Sequence, residues 1–230
     1  MHLWRADLPP ALGAARARRL AAMLPEEELA RCERCRQPVT RARALASRAA
    51  LRGVLGACLG MDPRQVPLIE GLGKPRLAGE LGSGLDFSLS HSGGLALLAV
   101  GRAVRVGADV ERLRPVLFLD SVVERFFGEQ ERDELRGLRG AEKRQVYFRL
   151  WTRREAAAKA LGLGILEHFR RFPCWSAELQ EAEAWRITDL RPAPGYAGAV
   201  CLEGQGAIVG FWVWREPRPH RTPGTAPQEG

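Results

Sequence analysis

Two periodicities alternate along this chain. From about Val39 to Leu59 apolar residues recur at helical spacing, with Leu45, Ala49, Leu51, Leu55 and Leu59 on the side expected to be buried, and the pattern predicts a long helix. Arg41, Arg43, Arg48 and Arg52 fall elsewhere on it, and Arg48 and Arg52, four apart, share a face. Upstream, Leu3 to Leu8 has room for a short strand and Leu12 to Leu24 reads as helix. Pro25-Glu-Glu-Glu28 then opens another helix, with proline suited to the first turn and acids to the positive end. The period next falls to two. Leu85, Phe87 and Leu89 alternate with Asp86, Ser88 and Ser90, which marks a half-buried strand. Gly93-Gly94 turns the chain into Leu95 to Val100, and Gly101-Arg102-Ala103 turns it into Val104 to Glu111, an expected antiparallel meander.

Past Arg114-Pro115, the chosen midpoint, Leu119 to Phe127 and Glu129 to Leu138 read as short helices and Ala141 to Leu161 as a long one. The long helix stops at Gly162, a residue suited to the left-handed position beyond a helix end. Strand-like runs follow at Ala184 to Leu190, Tyr196 to Leu202 and Ile208 to Trp214, with Trp175, Trp185, Trp212 and Trp214 expected to pack against the long helix. Helices followed by strands in each half predict an α+β, pseudo-duplicated architecture with a cleft between residues 1–113 and 114–215. Residues 216–230, dense in proline, glycine and polar side chains, are expected to form a disordered tail. Met61 to Gly84, rich in glycine and proline, reads as connecting loop.

A hydrophobic fraction of 46% provides for a real core in 230 residues, and the net charge of +8 favours anionic partners. No run approaches the ~20 apolar residues that span a bilayer, and Met-His-Leu-Trp-Arg-Ala-Asp lacks the apolar core of a signal peptide. A cytoplasmic monomer, without membrane or nucleic-acid partners, is therefore expected. Five cysteines at irregular spacing argue against a disulfide framework, and no second pair completes a zinc site around Cys32 and Cys35.

Candidate chemistry rests on acids in two places. Glu155 and Lys159 are four apart on the long helix and share a face, with Arg153 and Arg154 beside them. Asp109 and Glu111 leave one face of a strand, roughly 6.5 Å apart along the chain. Such sets are often solvated surface charges. Three carboxylates that converge among arginine and lysine describe a magnesium–phosphate site instead. Gly71-Leu-Gly-Lys-Pro75 lacks P-loop spacing, and Ser90-His91-Ser92 completes no hydrolase triad.

In order along the chain, Gly73-Lys-Pro75, Phe87-Ser-Leu-Ser-His-Ser92, Val106-Gly-Ala-Asp-Val-Glu111, Phe126-Phe127 with Glu131, and Trp151-Thr-Arg-Arg-Glu-Ala-Ala-Ala-Lys159 resemble the signature of the Sfp-type 4′-phosphopantetheinyl transferases. The resemblance covers about residues 30 to 165. It implies transfer of the phosphopantetheine arm of coenzyme A to a serine of an acyl or peptidyl carrier protein. It further implies metal ligation of Mg²⁺, with Mn²⁺ the alternative, by Asp109, Glu111 and Glu155, and catalysis by Glu155 and Lys159. Coenzyme A is expected on Arg48, Lys74, Pro75, Ser90, His91, Arg154 and Lys159. Phe126 and Phe127, with Val116 to Val123, are expected to touch the carrier. The competing expectations are a basic nucleic-acid-binding module and a non-catalytic coenzyme A-binding relative.

Overall fold

The computed structural model describes residues 1–70, 74–80, 84–163, 185–204 and 210–216. Strand β1 (His2–Asp7) leads into helices α1 (Ala14–Ala21), α2 (Glu26–Glu33) and α3 (Pro38–Leu59). Pro25 sits at the N-cap of α2 with three glutamates in the first turn, and Gly60 ends α3 at φ +67°. Strands β4 (Leu85–Ser92), β5 (Leu95–Arg102) and β6 (Val106–Arg112) follow. Helices α4 (Leu119–Phe126), α5 (Glu129–Leu135) and α6 (Gly140–Leu161) precede β7 (Trp185–Leu190), β8 (Tyr196–Glu203) and β9 (Gly210–Val213). Within the stretch expected to be only loop, Leu68–Ile69 (β2) and Arg76–Leu77 (β3) pair as a small antiparallel ribbon. The class is α+β, and no helix among the described residues is long and apolar enough to cross a membrane.

The order of the first sheet is β4-β5-β1-β9, with β9 parallel to β1, and that of the second is β6-β8-β7. The first sheet thus draws strands from both sides of Arg114-Pro115. Leu3, Leu95, Leu97 and Ala99 from one sheet pack on Val106, Ala108, Val110, Val200 and Leu202 from the other. Residues of β5 at the alternate positions, Leu98 and Val100, meet Leu51, Val54 and Leu55 of α3. Both faces of β5 are covered, which is why its pattern is a continuous apolar run. On the outer face of the second sheet, Ala156, Ala157 and Ala160 of α6 pack on Trp185, Ala199 and Cys201.

The expected meander breaks after β5. Strand β6 pairs with β8, not β5, and lies beside β4 instead. The two run in the same direction at a constant offset of 20 residues, joined through side chains. Backbone N–H groups of Val106, Ala108 and Arg112 donate to the Asp86 carboxylate (2.8 Å), Ser88 Oγ (3.0 Å) and Ser92 Oγ (3.1 Å). The polar face of β4 is therefore a seam between sheets, and Ser88 is 0% exposed. Short polar side chains supply the acceptors that a neighbouring strand's carbonyls provide in an ordinary ladder.

Of the four tryptophans expected against α6, Trp185 packs there. Trp214 packs on the α1–α3 side instead, over Gly53, because β9 joins β1 in the first sheet. Trp212 is half exposed, and Trp175 lies outside the described residues. Glu216, the expected start of the tail, is ion-paired to Arg16 (3.1 Å) and Arg19 (2.5 Å) of α1, while 217–230 lie outside the described residues.

Gly107 lets α6 sit directly on β6. A Cβ there would meet the Ala156 carbonyl oxygen at 1.8 Å and the Ala160 nitrogen at 2.5 Å, both backbone atoms that cannot turn aside. Gly107→Ala should therefore destabilise the fold by ~3 kcal/mol or more, seen as a fall in the urea midpoint. A midpoint equal to wild type would show that helix and strand are not held this closely.

Candidate active site

Residues 107, 109 and 111 of β6 share the face that looks on α6, so the close approach at Gly107 brings α6 down over Asp109. Lys159 Nζ donates to Asp109 Oδ1 at 2.7 Å and to the Ala108 carbonyl at 3.3 Å. Asp109 is buried, and its Oδ1 also accepts from Ser90 Oγ at 2.6 Å across the seam. Its second oxygen, Oδ2, is buried without a hydrogen-bond partner. Glu111 accepts from Ser92 Oγ at 2.6 Å. One helical turn before Lys159 stands Glu155, half-buried.

The charges on these groups act on one another. Burial pushes Glu155 up to about 7, the Lys159 ammonium pulls it back, and the carboxylates of Asp109 and Glu111 push it further up. Burial also raises Glu111, the Ser92 hydroxyl opposes this, and Asp109 adds to the rise. Desolvation first and the Lys159 ammonium second hold His91 below its ordinary value, although its side chain reaches solvent.

Among the described residues no three carboxylate, imidazole or thiol groups stand close enough to ligate one ion as placed. The donor set nonetheless suits a hard divalent cation. Asp109 keeps an unpartnered buried oxygen, Asp109 and Glu111 push the Glu155 carboxyl up, and Asp109 pushes up Glu111, a repulsion that such an ion relieves.

Other expected ligand residues are placed less simply. Lys74 Nζ donates to both oxygens of Asp86 (2.8 and 2.7 Å) and to the Val106 carbonyl (2.8 Å), so it clamps the seam. It borders a cavity of about 540 Å³ lined also by Arg105, Gly162 and Glu203. Pro75 beside it is half-buried, and Gly73 lies outside the described residues. His91 is five residues further along β4 than Asp86, roughly 17 Å, so Lys74 and His91 serve opposite ends of the seam. Arg48 pairs with Glu28 and Glu70.

Two of the expected contact residues lie buried. Arg154 is 0% exposed and holds the buried Glu131 carboxylate through Nε at 2.9 and 3.1 Å, so it ties α6 to α5. Its guanidinium also lies over the Phe127 ring, 5.4 Å from the ring centroid. Phe127 itself is buried with Val123, Tyr147 and Phe148, unlike the half-exposed Phe126. Leu117 and Phe118, within the expected Val116 to Val123 stretch, are 82% and 80% exposed. Sequence reasoning assigned no role to Asp86 or Glu131. The alternation in β4 carried the signal for Asp86, and the spacing from Gly128 to Glu131 carried that for a helix cap. A cleft of about 1030 Å³ lined by Arg5, Arg149, Arg191 and Tyr196 contains none of the site's acids.

Residues 105–204, which include Asp109, Glu111, Glu155 and Lys159, match the family described as the 4′-phosphopantetheinyl transferase superfamily. The chain is 40% identical over 218 residues to the 4′-phosphopantetheinyl transferase HetI of Nostoc sp., covering 92% of this chain and 91% of that one. It is 31% identical over 190 residues to the 4′-phosphopantetheinyl transferase psf-1 of Bacillus pumilus, with 79% of each chain covered. A putative 4′-phosphopantetheinyl transferase of Synechocystis sp. is 34% identical over 145 residues, 63% of this chain and 59% of that one. The chain belongs to the 4′-phosphopantetheinyl transferase superfamily, as its ordered motifs implied, and is an enzyme of that class.

The raised Glu155 carries a stability signature. Its carboxyl starts from 4.5 and rises to about 7 on folding, so between these values the folded state keeps a proton that the unfolded state has lost. Stability from this group falls as pH rises through that window, and the penalty is complete above it. In the presence of a chelator Glu155→Gln should be more stable than wild type by ~1–3 kcal/mol at about pH 8 and equal to it at about pH 4. Urea melts at both values check this, and a difference that does not grow with pH contradicts the assigned burial and repulsion.

Proposed function

We propose that this enzyme moves the 4′-phosphopantetheine arm of coenzyme A onto a serine of an apo acyl or peptidyl carrier protein, releasing adenosine 3′,5′-bisphosphate. The observation that carries the proposal is the facing pair: Asp109 and Glu111 on β6 against Glu155 and Lys159 on α6, with Lys159 bonded to Asp109 at 2.7 Å. In the transfer the serine oxygen forms a bond to the β-phosphorus, and the bond from that phosphorus to the bridging oxygen breaks. The electron pair leaves on the 5′-phosphate of adenosine 3′,5′-bisphosphate. Glu155 takes the serine proton as general base. Lys159 places a positive charge beside the departing phosphate. A divalent ion, Mg²⁺ or Mn²⁺, held by Asp109, Glu111 and Glu155 would neutralise pyrophosphate charge when bound.

Arg48, Lys74, Pro75, Ser90 and His91 remain the proposed coenzyme A contacts, with Arg154 acting through the packing of α6. Lys74 would have to leave Asp86 to reach a phosphate, so of these Arg48 and His91 are the more accessible hands. The carrier's acidic surface meets a chain of net charge +8. Leu117, Phe118 and Phe126 are the apolar side chains proposed to receive it. Residues 1–113 and 114–215 are read as the two halves flanking the site, in a monomer that works in the cytoplasm.

Incubation with coenzyme A, Mg²⁺ and a panel of apo-carrier proteins should add the phosphopantetheine mass to a carrier serine. Glu155→Gln should lower the rate by about 100-fold or more with the fold intact, and Asp109→Ala should raise the Mg²⁺ requirement. Near-wild-type turnover by the first variant removes Glu155 from the proton transfer. An unchanged metal titration in the second removes Asp109 from the ligand set.

A further inference from the structure

Arg48 makes two kinds of contact. Behind it, Glu28 accepts from its Nε at 3.0 Å and is ion-paired with its Nη2 at 2.8 Å, and Glu28 is itself gripped by the buried Arg52 at 2.7 Å. Arg52 in turn donates to the Pro63 and Val66 carbonyls at 2.7 and 3.0 Å. Two arginines hold the Glu28 carboxyl down at about 2 against the burial that would raise it, so this inner contact is permanently charged. In front of it lies Glu70, one oxygen on Arg48 Nη2 and the other on Nη1 of Arg31 at 2.7 Å. Glu70 follows the short strand β2 and its side chain is 37% exposed. One carboxylate is thus bridged by guanidinium groups from two helices, α2 and α3, the way a phosphate would be.

The geometry points to Glu70 as an internal stand-in for the 3′-phosphate of coenzyme A, which it yields to on binding and replaces on release. This rests on the transferase proposal above, in which Arg48 is a coenzyme A contact, and it gives Arg48 the 3′-phosphate as the group it grips. The inner Glu28–Arg52 pair keeps Arg48 aimed whether Glu70 is present or not. The outer pair is solvent-exposed and contributes little on its own, so a phosphate with more charge and more acceptor oxygens can displace it. Substrate and product carry the same 3′-phosphate, so the displacement weakens both equally. Glu70 therefore trades affinity for turnover by easing departure of adenosine 3′,5′-bisphosphate.

Calorimetric titration of the full chain tests this. Glu70→Gln and Glu70→Ala should tighten coenzyme A and adenosine 3′,5′-bisphosphate alike, by about 3- to 10-fold. Dephospho-coenzyme A, which lacks the 3′-phosphate, should bind as it does to wild type. Glu33→Gln, which removes an exposed charge from the same helix as Arg31, should tighten neither. In an Arg48→Gln background the Glu70 substitutions should lose most of their effect. Equal tightening of dephospho-coenzyme A reduces Glu70 to a distant charge and overturns the assignment, as does no tightening at all. Wild-type protein that binds none of these nucleotides overturns the transferase proposal with it, whereas tight binding indifferent to Glu70 overturns this inference alone.

Discussion

The parallel seam between β4 and β6 is the contact on which the site depends. An edge strand exposes a row of backbone donors and acceptors that must be satisfied once it is buried. Here Asp86, Ser88 and Ser92, all on one face of the strand, supply the acceptors from side chains and leave the two sheets free to diverge. The seam also sets register. With Asp86 at Val106 and Ser92 at Arg112, Ser90 falls at Val110, and its hydroxyl bonds the neighbouring Asp109 carboxylate instead of a backbone group. A slip of one residue would turn the seam's acceptors away and point Asp109 into the core.

A second constraint acts on the other side of β6. Gly107 permits backbone-to-backbone approach of α6, and the helix spacing then carries Glu155 and Lys159 over the acids of the strand. Arg154, the residue just before Glu155, turns inward and is neutralised by Glu131. The helix thus presents reactive groups outward while its inner charge secures α5. The result is a crowded anionic centre with one lysine inserted. That explains why burial and repulsion together raise Glu155 and why an oxygen of Asp109 remains without a partner.

Charge elsewhere in the chain follows the same logic of acids holding bases ready. Glu28 fixes Arg48 and Arg52, Asp86 fixes Lys74, and Glu203 fixes Arg105. The net excess of +8 therefore understates how many cations already have an internal anion. Those whose anion is exposed, as with Glu70 on Arg48, are the ones a ligand can recruit.

Local pattern by itself determined the helices, the longer strands, the stop at Gly162 and the pairing of Glu155 with Lys159 on one face, because these depend on residues within a turn or two, whereas the short β2–β3 ribbon escaped it. It also determined the order of acidic motifs from which the family was legible. What Asp86, Ser88 and Ser90 face was not legible. Alternation shows that residues share a side of a strand, and only the arrival of β6, 20 residues on, decides whether that side meets water or protein. The same holds for Phe127, Arg154 and Lys74, whose neighbours come from distant elements. A charged or aromatic side chain has no fixed role until its opposite partner is known, since burial and pairing set its energy, and both are properties of the tertiary fold.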